Sequence, residues 1–456
     1  MKKITDMTEG SPLGLLVRFA LPLLLGSLCQ LLYTTADSAV VGRLIGVDAF
    51  AAVGAAGFLS WLVVDMILGL TQGFGVLFAQ IFGKKQWDRL RQAIAVSSLL
   101  AFGIGAALTV LGLLSIGFAL DATGVPLDIR PDAISYLQVI FSGTLITMFH
   151  RLAGTLLQSL GNSRVPVIGN VASCILNIAL DLLFVGGFGW GVIGAALATV
   201  AAQLGSFLYC LSKLWDIPQV RLSRNDFILP GAMPPALVRE LLRLGGPLAF
   251  RNGVISVGGL FVQSAINGCG KLFVAGMAAA EKYFGLVTLT GCALDGAFAY
   301  FSAQNYGAGR MDRIKAGLRA SIWLSLASSA VMAVLLLVFG KQLLGLLITG
   351  KPEELQQILQ AGYEYLTVLA FTVPLMFLLC LYRSGLQGMG SAFAPTLSGF
   401  IELGLRIVSV LFLPNLLGRF AIYLANPLGW LGASILLACS YYRVYHRLTL
   451  AQAEHK

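Results

Sequence analysis

Acidic side chains lie within stretches of the sequence that are otherwise apolar, where an ionised group is expensive. Asp37 belongs to the first such stretch and Asp181 to the fifth, and neither has a basic neighbour on its helix. Asn177 precedes Asp181 by four residues and Tyr33 precedes Asp37 by four, so each pair shares a helical face. Carboxylate, amide and phenol oxygens suit a proton or a hard cation such as Na+. We therefore predict a proton- or sodium-binding site at these side chains.

The other ionisable residues within apolar stretches are also functional candidates, because each costs about 2.5–3.5 kcal/mol on insertion scales. Glu402 and Arg406 are four residues apart on one helix, so a local ion pair is the structural explanation for both. Glu281 could reach Arg251 on the preceding helix. The residues assigned to a cavity or gate are Tyr33, Pro22, Arg151, Arg251 and Glu281, whereas Asp65, Lys282 and Asp295 receive no role.

The composition indicates what positions these side chains. Of the 456 residues, 57% are hydrophobic and 11% are charged, whereas a soluble domain has about 25% charged residues. The 53 glycines alternate with long apolar runs rather than with polar filler, which is typical of transmembrane helices that pack closely. The chain is therefore predicted to be an all-α polytopic membrane protein.

Twelve segments have the roughly 20 mostly apolar residues that a membrane span needs. In the first half they are 14–42, 49–81, 92–119, 132–158, 166–187 and 190–212, and in the second half 243–267, 272–304, 315–345, 354–386, 394–418 and 425–447. Between the halves lies the longest polar stretch, which contains several prolines and charges of both signs. We predict a first lobe at 1–213, a cytoplasmic linker at 214–242 and a second lobe at 243–456.

An internal repeat relates the two halves. The sequence AQIFGKKQWDRL at 79–90 matches AQNYGAGRMDRI at 303–314, and Pro22 matches Pro247 at nearly the same offset. Because each half has an even number of spans, the two six-helix lobes share one orientation and are expected to be related by a pseudo-twofold axis along the membrane normal. The positions equivalent to Asp37 and Asp181 carry no acid in the second half. A duplicated scaffold with unduplicated acids favours a coupling site over structural polar groups.

The basic residues indicate topology. The formal net charge is +10; of the 31 lysines and arginines, 21 fall on the side of the N-terminus, 6 on the opposite side and 4 within spans. Positive residues concentrate on the cytoplasmic side, so both termini are predicted to be cytoplasmic. The charge therefore reports topology and not nucleic-acid binding. No cleaved signal peptide is expected, because the polar N-terminus leads directly into a segment of spanning length.

The seven cysteines and three histidines have no metal-site spacing, and no nucleophile–base pair is found within the spans. A membrane-embedded enzyme is thereby disfavoured, and no metal or cofactor is expected apart from H+ or Na+ as a coupling ion.

The chain resembles the multidrug and toxic compound extrusion (MATE) family along essentially its full length. The similar stretches are RFALPLLLG and YTTADSAVVGR in the first span, the two AQ…G…DR loops, LNIALDLLF at 176–184 and NPLGWLGA at 426–433. The spacing of Asp37, Asn177, Asp181 and Thr199 is similar to the first-lobe cation site of the prokaryotic DinF-like branch, and Pro22 lies fifteen residues before Asp37 as in that branch. The NorM-like branch, with a glutamate in span seven, is less similar, because 243–267 contains no acid.

The resemblance implies two lobes around a central cavity and export of amphipathic, cationic small molecules in exchange for H+ or Na+. It also implies a functional monomer in the cell inner or plasma membrane, in contact with lipids, and bending of the first helix at Pro22 in some members. Two alternatives stay open. One is a flippase for lipid-linked precursors, which Arg151, Arg251 and Arg406 favour, and the other is an exporter of an endogenous metabolite.

Overall fold

The structure, a computed structural model, describes residues 4–222, 226, 234–348 and 352–454, with the backbone alone for 32–39, 47, 352, 453 and 454. The first half contains α1 (Pro12–Leu44), α2 (Val47–Gly83), α3 (Trp87–Ala122), α4 (Arg130–Ser142), α5 (Thr144–Ser159), α6 (Arg164–Asp181) and α7 (Gly191–Trp215). The second half contains α8 (Pro235–Asn267), α9 (Lys271–Gly307), α10 (Met311–Leu347), α11 (Pro352–Gly388), α12 (Phe393–Phe412), α13 (Pro414–Leu417) and α14 (Phe420–Glu454).

The predicted spans correspond to these helices. Among the described residues, ten helices are long and apolar enough to cross a membrane, and α4 with α5, which meet at an angle of 47°, add an eleventh span. The bend falls at Gly143, which faces Val200 so closely that a Cβ atom would overlap the valine side chain. Helix α8 is 33 residues long but carries several charged residues in its first half. With α8 as the remaining span, the twelve-helix arrangement in two lobes is confirmed.

The chain divides into two compact units. Unit 1 comprises Met1–Asp6 and Leu21–Ala249, and unit 2 comprises Met7–Ala20 and Phe250–Lys456. Helices α1 and α8 therefore each contribute to both units, and the division falls close to Pro22 in α1 and Pro247 in α8. A proline within a helix removes one backbone hydrogen bond and weakens the helix there. The predicted lobe boundaries at 213 and 243 stay predictions.

In unit 1, close packing of α2 against α8 depends on glycine. A Cβ atom at Gly69 would lie 2.6 Å from the carbonyl oxygen of Leu248, and one at Gly73 would overlap the backbone of Gly245. Small residues at such crossings allow two backbones to approach, and the gain in van der Waals contact stabilises helix pairs in lipid. The first part of α8 is thereby fixed on α2.

In unit 2, the chain just before α1 is held by the second copy of the repeated loop. The backbone N–H of Met7 donates to Oε1 of Gln304 at 2.9 Å, and Nδ2 of Asn305 donates to the carbonyl of Met7 at 3.1 Å. Met7 is 1% exposed. In unit 1 the first copy of the loop provides Arg89, which forms an ion pair with Glu240 on α8 at 2.8 Å.

Candidate cation site and buried ion network

The end of α6 places two of the predicted site residues at the centre of unit 1. Asn177 is 1% exposed and Asp181 is fully buried, one helical turn further on. Helix α6 ends at Asp181 and continues as a π-helical segment, Leu182–Gly187. Such wider turns occur often at functional sites, because they change the direction of side chains and free backbone groups. Nothing in the hydropathy of span 166–187 predicts this segment.

Thr199 on α7 completes the described part of this site. Nδ2 of Asn177 donates to Oγ1 of Thr199 at 3.4 Å, and Oδ1 of Asn177 is buried with no hydrogen-bond partner among the described residues. Asn177 and Thr199 are therefore brought together, as the family spacing implied, with Asp181 on the same buried side of α6. We call Asn177, Asp181 and Thr199 the α6–α7 site.

The remaining predicted members of the site lie on α1. Asp37 and Tyr33 are in its helical backbone, but their side chains lie outside the described residues. Pro22 lies within α1, whose helical backbone continues on both sides of it.

A second polar group that the sequence analysis missed lies further along α6. Nε2 of His150 is 3.2 Å from Oδ1 of Asn170 and 3.1 Å from Oγ of Ser206. Asn170 precedes Asn177 by seven residues, which is two helical turns, so the two amides share one face of α6. That spacing was a signal in the sequence. The polar face of α6 is thus longer than the predicted site.

Arg151, predicted to line a cavity or gate, interacts electrostatically with Asp65 across the helices. Asp65 is on α2 and Arg151 on α5, so no helical spacing could have indicated the pair. Asp65, which received no role, is therefore the carboxylate whose charge acts on Arg151 in unit 1.

In unit 2, Glu402 is the centre of a buried ion network, with 3% of its surface exposed. Its Oε2 is 3.6 Å from Nη2 of Arg406, which confirms the local pair, but its Oε1 accepts a closer hydrogen bond from Arg383 on α11. Nη2 of Arg383 also donates to Oγ of Ser398 at 3.2 Å. Arg383 is one of the 21 basic residues counted in loops on the side of the N-terminus, and that placement was wrong, because it is buried within α11 against this carboxylate.

Arg251 lies beside this network, on α8, and is 6% exposed. Its Nη2 donates to Oδ1 of the adjacent Asn252 at 2.8 Å, while its Nη1 has no hydrogen-bond partner among the described residues. The charges of Arg383, Asp295 and Glu402 act on it. Unit 2 therefore buries three guanidinium groups around two carboxylates.

Glu281 has a different partner from the one considered in the sequence. Oε1 of Glu281 accepts a hydrogen bond from the hydroxyl of Tyr365 at 3.0 Å, and none of the ion pairs among the described residues joins it to Arg251. Nδ2 of Asn426, from the NPLGWLGA stretch, lies 3.4 Å from the same hydroxyl.

The two groups differ in chemistry. The α6–α7 site combines a buried carboxylate with neutral amide and hydroxyl groups, the ligand types that suit a proton or a hard cation. In the network of unit 2, Glu402 is held by the guanidinium groups of Arg383 and Arg406, which stay charged, so this carboxylate has little capacity for a further cation.

Comparison with known proteins agrees with the motifs. The family model MatE matches residues 22–183 and 247–411. "Probable multidrug resistance protein YoeA" of Bacillus subtilis (strain 168) is 26% identical over 432 residues, 93% of this chain and 92% of that protein. The DNA damage-inducible protein F of Escherichia coli (strain K12) is 26% identical over 437 residues, 92% of this chain and 88% of that protein.

Among solved structures, a MOP superfamily transporter from Pyrococcus furiosus Vc1 (DSM3638) has the same fold. The TM-score is 0.88 at 21% sequence identity, over 97% of this chain and 98% of that chain.

Proposed function

The chain belongs to the MatE family, and from this premise we propose that it is a cation-coupled antiporter that exports amphipathic organic cations. Members of the family are multi-pass membrane transporters and not enzymes. The proposal concerns the coupling ion, the residues that bind it and the class of substrate.

The observation that carries the proposal is the α6–α7 site. Coupling requires a group whose occupancy by a cation differs between two conformations, because a ligand shifts an equilibrium only by its differential affinity. Asp181 is fully buried one turn from the hydrogen-bonded pair of Asn177 and Thr199. A buried carboxylate among neutral polar groups has the chemistry to take up H+ or Na+. Asp37 on α1 would contribute the second carboxylate.

The substrate class is supported by the relatives. YoeA carries the name of a multidrug resistance protein, and a carboxylate site that exchanges one cation for another suits a cationic substrate. The energy comes from the coupling ion, since each charge that enters down a membrane potential yields about 2.3 kcal/mol per 100 mV. A single chain contains both lobes, so we propose a functional monomer.

Transport in vesicles tests the coupling site. We expect Asp37→Asn and Asp181→Asn each to give a folded, inserted protein that binds substrate but loses most uptake of a fluorescent organic cation under a proton or a sodium gradient. Asp48→Asn is the control, because Asp48 is exposed at the start of α2. Comparing the two gradients identifies the ion. Full gradient-driven transport by the Asp37→Asn, Asp181→Asn double variant would contradict the proposal.

We further propose that both termini are cytoplasmic in the cell inner or plasma membrane. With Arg383 removed from the count, 20 basic residues stay on the proposed cytoplasmic side against 6 opposite. Cysteines introduced at Lys85 and Arg310 should react with an impermeant reagent only from the cytoplasmic side, and so should one at Arg224. One at Lys351 should react only from outside. Arg224 and Lys351 lie outside the described residues. Labelling of all four from one side would overturn this assignment.

A second candidate, export of an anionic metabolite or flipping of a lipid-linked precursor, is favoured by one observation. Arg251 is buried with an Nη1 group that has no hydrogen-bond partner among the described residues. The same vesicles, assayed with anionic compounds and with a labelled lipid, separate the candidates. Transport of these in place of the organic cation, with loss in Arg251→Gln, would favour the second.

A further inference from the structure

We propose that unit 1 binds an acidic phospholipid in a groove formed by α2, α3, α5, α7 and residues 220–222, with one acyl chain inside and the headgroup at Arg221. The groove is a cavity of about 420 Å³, within the size range of small-molecule sites. It lies apart from the α6–α7 site, so the inference is independent of the coupling mechanism proposed above.

The interior of the groove suits hydrocarbon. The rings of Phe149 and Phe207 meet there at 5.9 Å between centroids. The hydroxyls of Ser97 and Ser98 donate to the carbonyl of Ile94 at 2.9 and 2.8 Å. The polar groups of this wall are therefore satisfied within α3. A ligand with many hydrogen-bonding groups would lose its hydration there without compensation.

The open side of the groove faces outward from the helix bundle. Phe102 is 57% exposed and Leu211 is 40% exposed, and both line the groove. These residues belong to α3 and α7, which are membrane spans. Their exposed surface is thus in contact with lipid, and an acyl chain can enter from the bilayer without crossing water.

The end of the groove has the groups that anionic headgroups bind. The guanidinium of Arg221 lies over the ring of Trp215, 5.1 Å from its centroid, and both residues line the groove. Lys213, on α7 but outside the groove lining, lies over Tyr209 at 5.6 Å. Neither cation has a carboxylate partner among the ion pairs of the described residues. Tryptophan and tyrosine concentrate at the membrane interface, and basic residues there attract anionic lipids.

The length of the groove is sufficient for part of an acyl chain. Between Phe207 and Trp215, both lining the groove, α7 rises about 12 Å at 1.5 Å per residue, which holds part of an acyl chain. Residues beyond α7 form the wall at the headgroup end, where Val220 is buried and Pro218–Val220 forms a 3-10 turn. A bound lipid would therefore stabilise the first residues of the connection between the halves.

Native mass spectrometry of the full chain in detergent tests the site, with dioleoyl phosphatidylglycerol and dioleoyl phosphatidylcholine as probes. We expect the first phosphatidylglycerol to bind about fivefold more tightly, which one arginine near an anionic surface supplies. Ser98→Phe fills the groove and should abolish this binding. Ser115→Phe is the matched control, because Ser115 is on the same helix, also donates to a carbonyl of its own helix, and is absent from the groove.

Arg221→Gln, a change at an exposed residue, should remove the preference for phosphatidylglycerol and leave phosphatidylcholine binding unchanged. This variant keeps the test valid even if Ser98→Phe fails to fold. Equal affinity of the wild type for the two lipids, or unchanged binding in a folded Ser98→Phe, overturns the proposal. Displacement of the lipid by millimolar glycerol phosphate would also overturn it, because the site would then recognise a soluble anion.

Discussion

Arg313 binds the backbone carbonyl of Met7, which is 306 residues away in the sequence, with an Nη2–O distance of 3.1 Å. Its Nε also donates to Oδ1 of Asn305 at 3.0 Å, and Asn305 donates to the same carbonyl. A single carbonyl thus accepts hydrogen bonds from a guanidinium and an amide. The function of the second AQ…G…DR loop in this fold is to fix the chain that leads into α1.

Replacing Arg313 with alanine should loosen the attachment of the segment around Met7 that precedes α1. Hydrogen bonds to charged groups contribute about 1.5–3 kcal/mol, so we expect lower thermal stability and faster hydrogen exchange at the Met7 amide. Arg310→Ala is the control, because Arg310 is exposed and its nearest carboxylate, that of Asp312, is 3.6 Å away. Unchanged exchange at Met7 in Arg313→Ala would show that the hydrogen bond from the Met7 N–H to Gln304 and the one from Asn305 to the Met7 carbonyl are sufficient.

Gly73→Ala should destabilise unit 1, because its Cβ would overlap the backbone of Gly245, which cannot move aside as a flexible side chain can. Overpacking of this kind costs about 1–3 kcal/mol. Gly57→Ala provides the comparison on the same helix, since a Cβ there has open space. Thermal unfolding in detergent should separate the two variants clearly, and equal melting temperatures would argue against the close crossing of α2 and α8.

Removing Glu402 should be the most damaging change in the network of unit 2. Glu402→Gln leaves both Arg383 and Arg406 without their carboxylate, and breaking a buried ion pair costs about 3–5 kcal/mol. Arg406→Leu should cost less, because Glu402 keeps its hydrogen bond from Arg383. Folded yield, measured by size-exclusion chromatography, is the readout.

Because Glu402 pairs with both Arg383 and Arg406, a double substitution of Glu402 and Arg406 should not restore folding. Removing only Glu402 and Arg406 leaves Arg383 buried and unpaired, so apolar replacement of all three residues is needed to recover yield. A triple variant that folds well but does not transport would assign the network a functional role.

Asn177→Ala and Thr199→Ala should weaken gradient-driven transport less than Asp181→Asn does, because each removes a dipole rather than a charge. Since the two side chains share one hydrogen bond, their effects should not add, and the double variant should resemble the more severe single one. Transport rates at several ion concentrations measure this. Strict additivity would mean that the two residues act separately.

The fold could be predicted from the sequence largely because lipid imposes one simple pattern, long apolar helices, on each span. Two departures from straight α-helices could not be predicted from this pattern. The bend lies at Gly143, which faces Val200 on another span, and the π-helical turn follows Asp181 within an apolar run. The hydropathy of the sequence indicates neither feature.

Contacts within the candidate sites could be predicted only between residues on the same helix. Asn177 and Asp181 share a face of α6, and that spacing is visible in the sequence. The pairs Asp65–Arg151 and Arg383–Glu402 join different helices, so their partners depend on tertiary packing. Arg383 was misplaced for the same reason, since a charge near the end of a span looks like a loop residue until its buried partner is known.

Neither half of the sequence builds a whole unit alone, because Met7–Ala20 belong to unit 2 and residues 235–249 belong to unit 1. Since the halves repeat one pattern, a subunit encoded by a single half would pack its N-terminal residues into the partner subunit and not into its own core. Two such subunits, each contributing its N-terminus to the other, form a domain-swapped homodimer. Fusion of two such copies would turn an exchange between two molecules into the exchange that this polypeptide has between its halves, which are joined between Trp215 and Pro235.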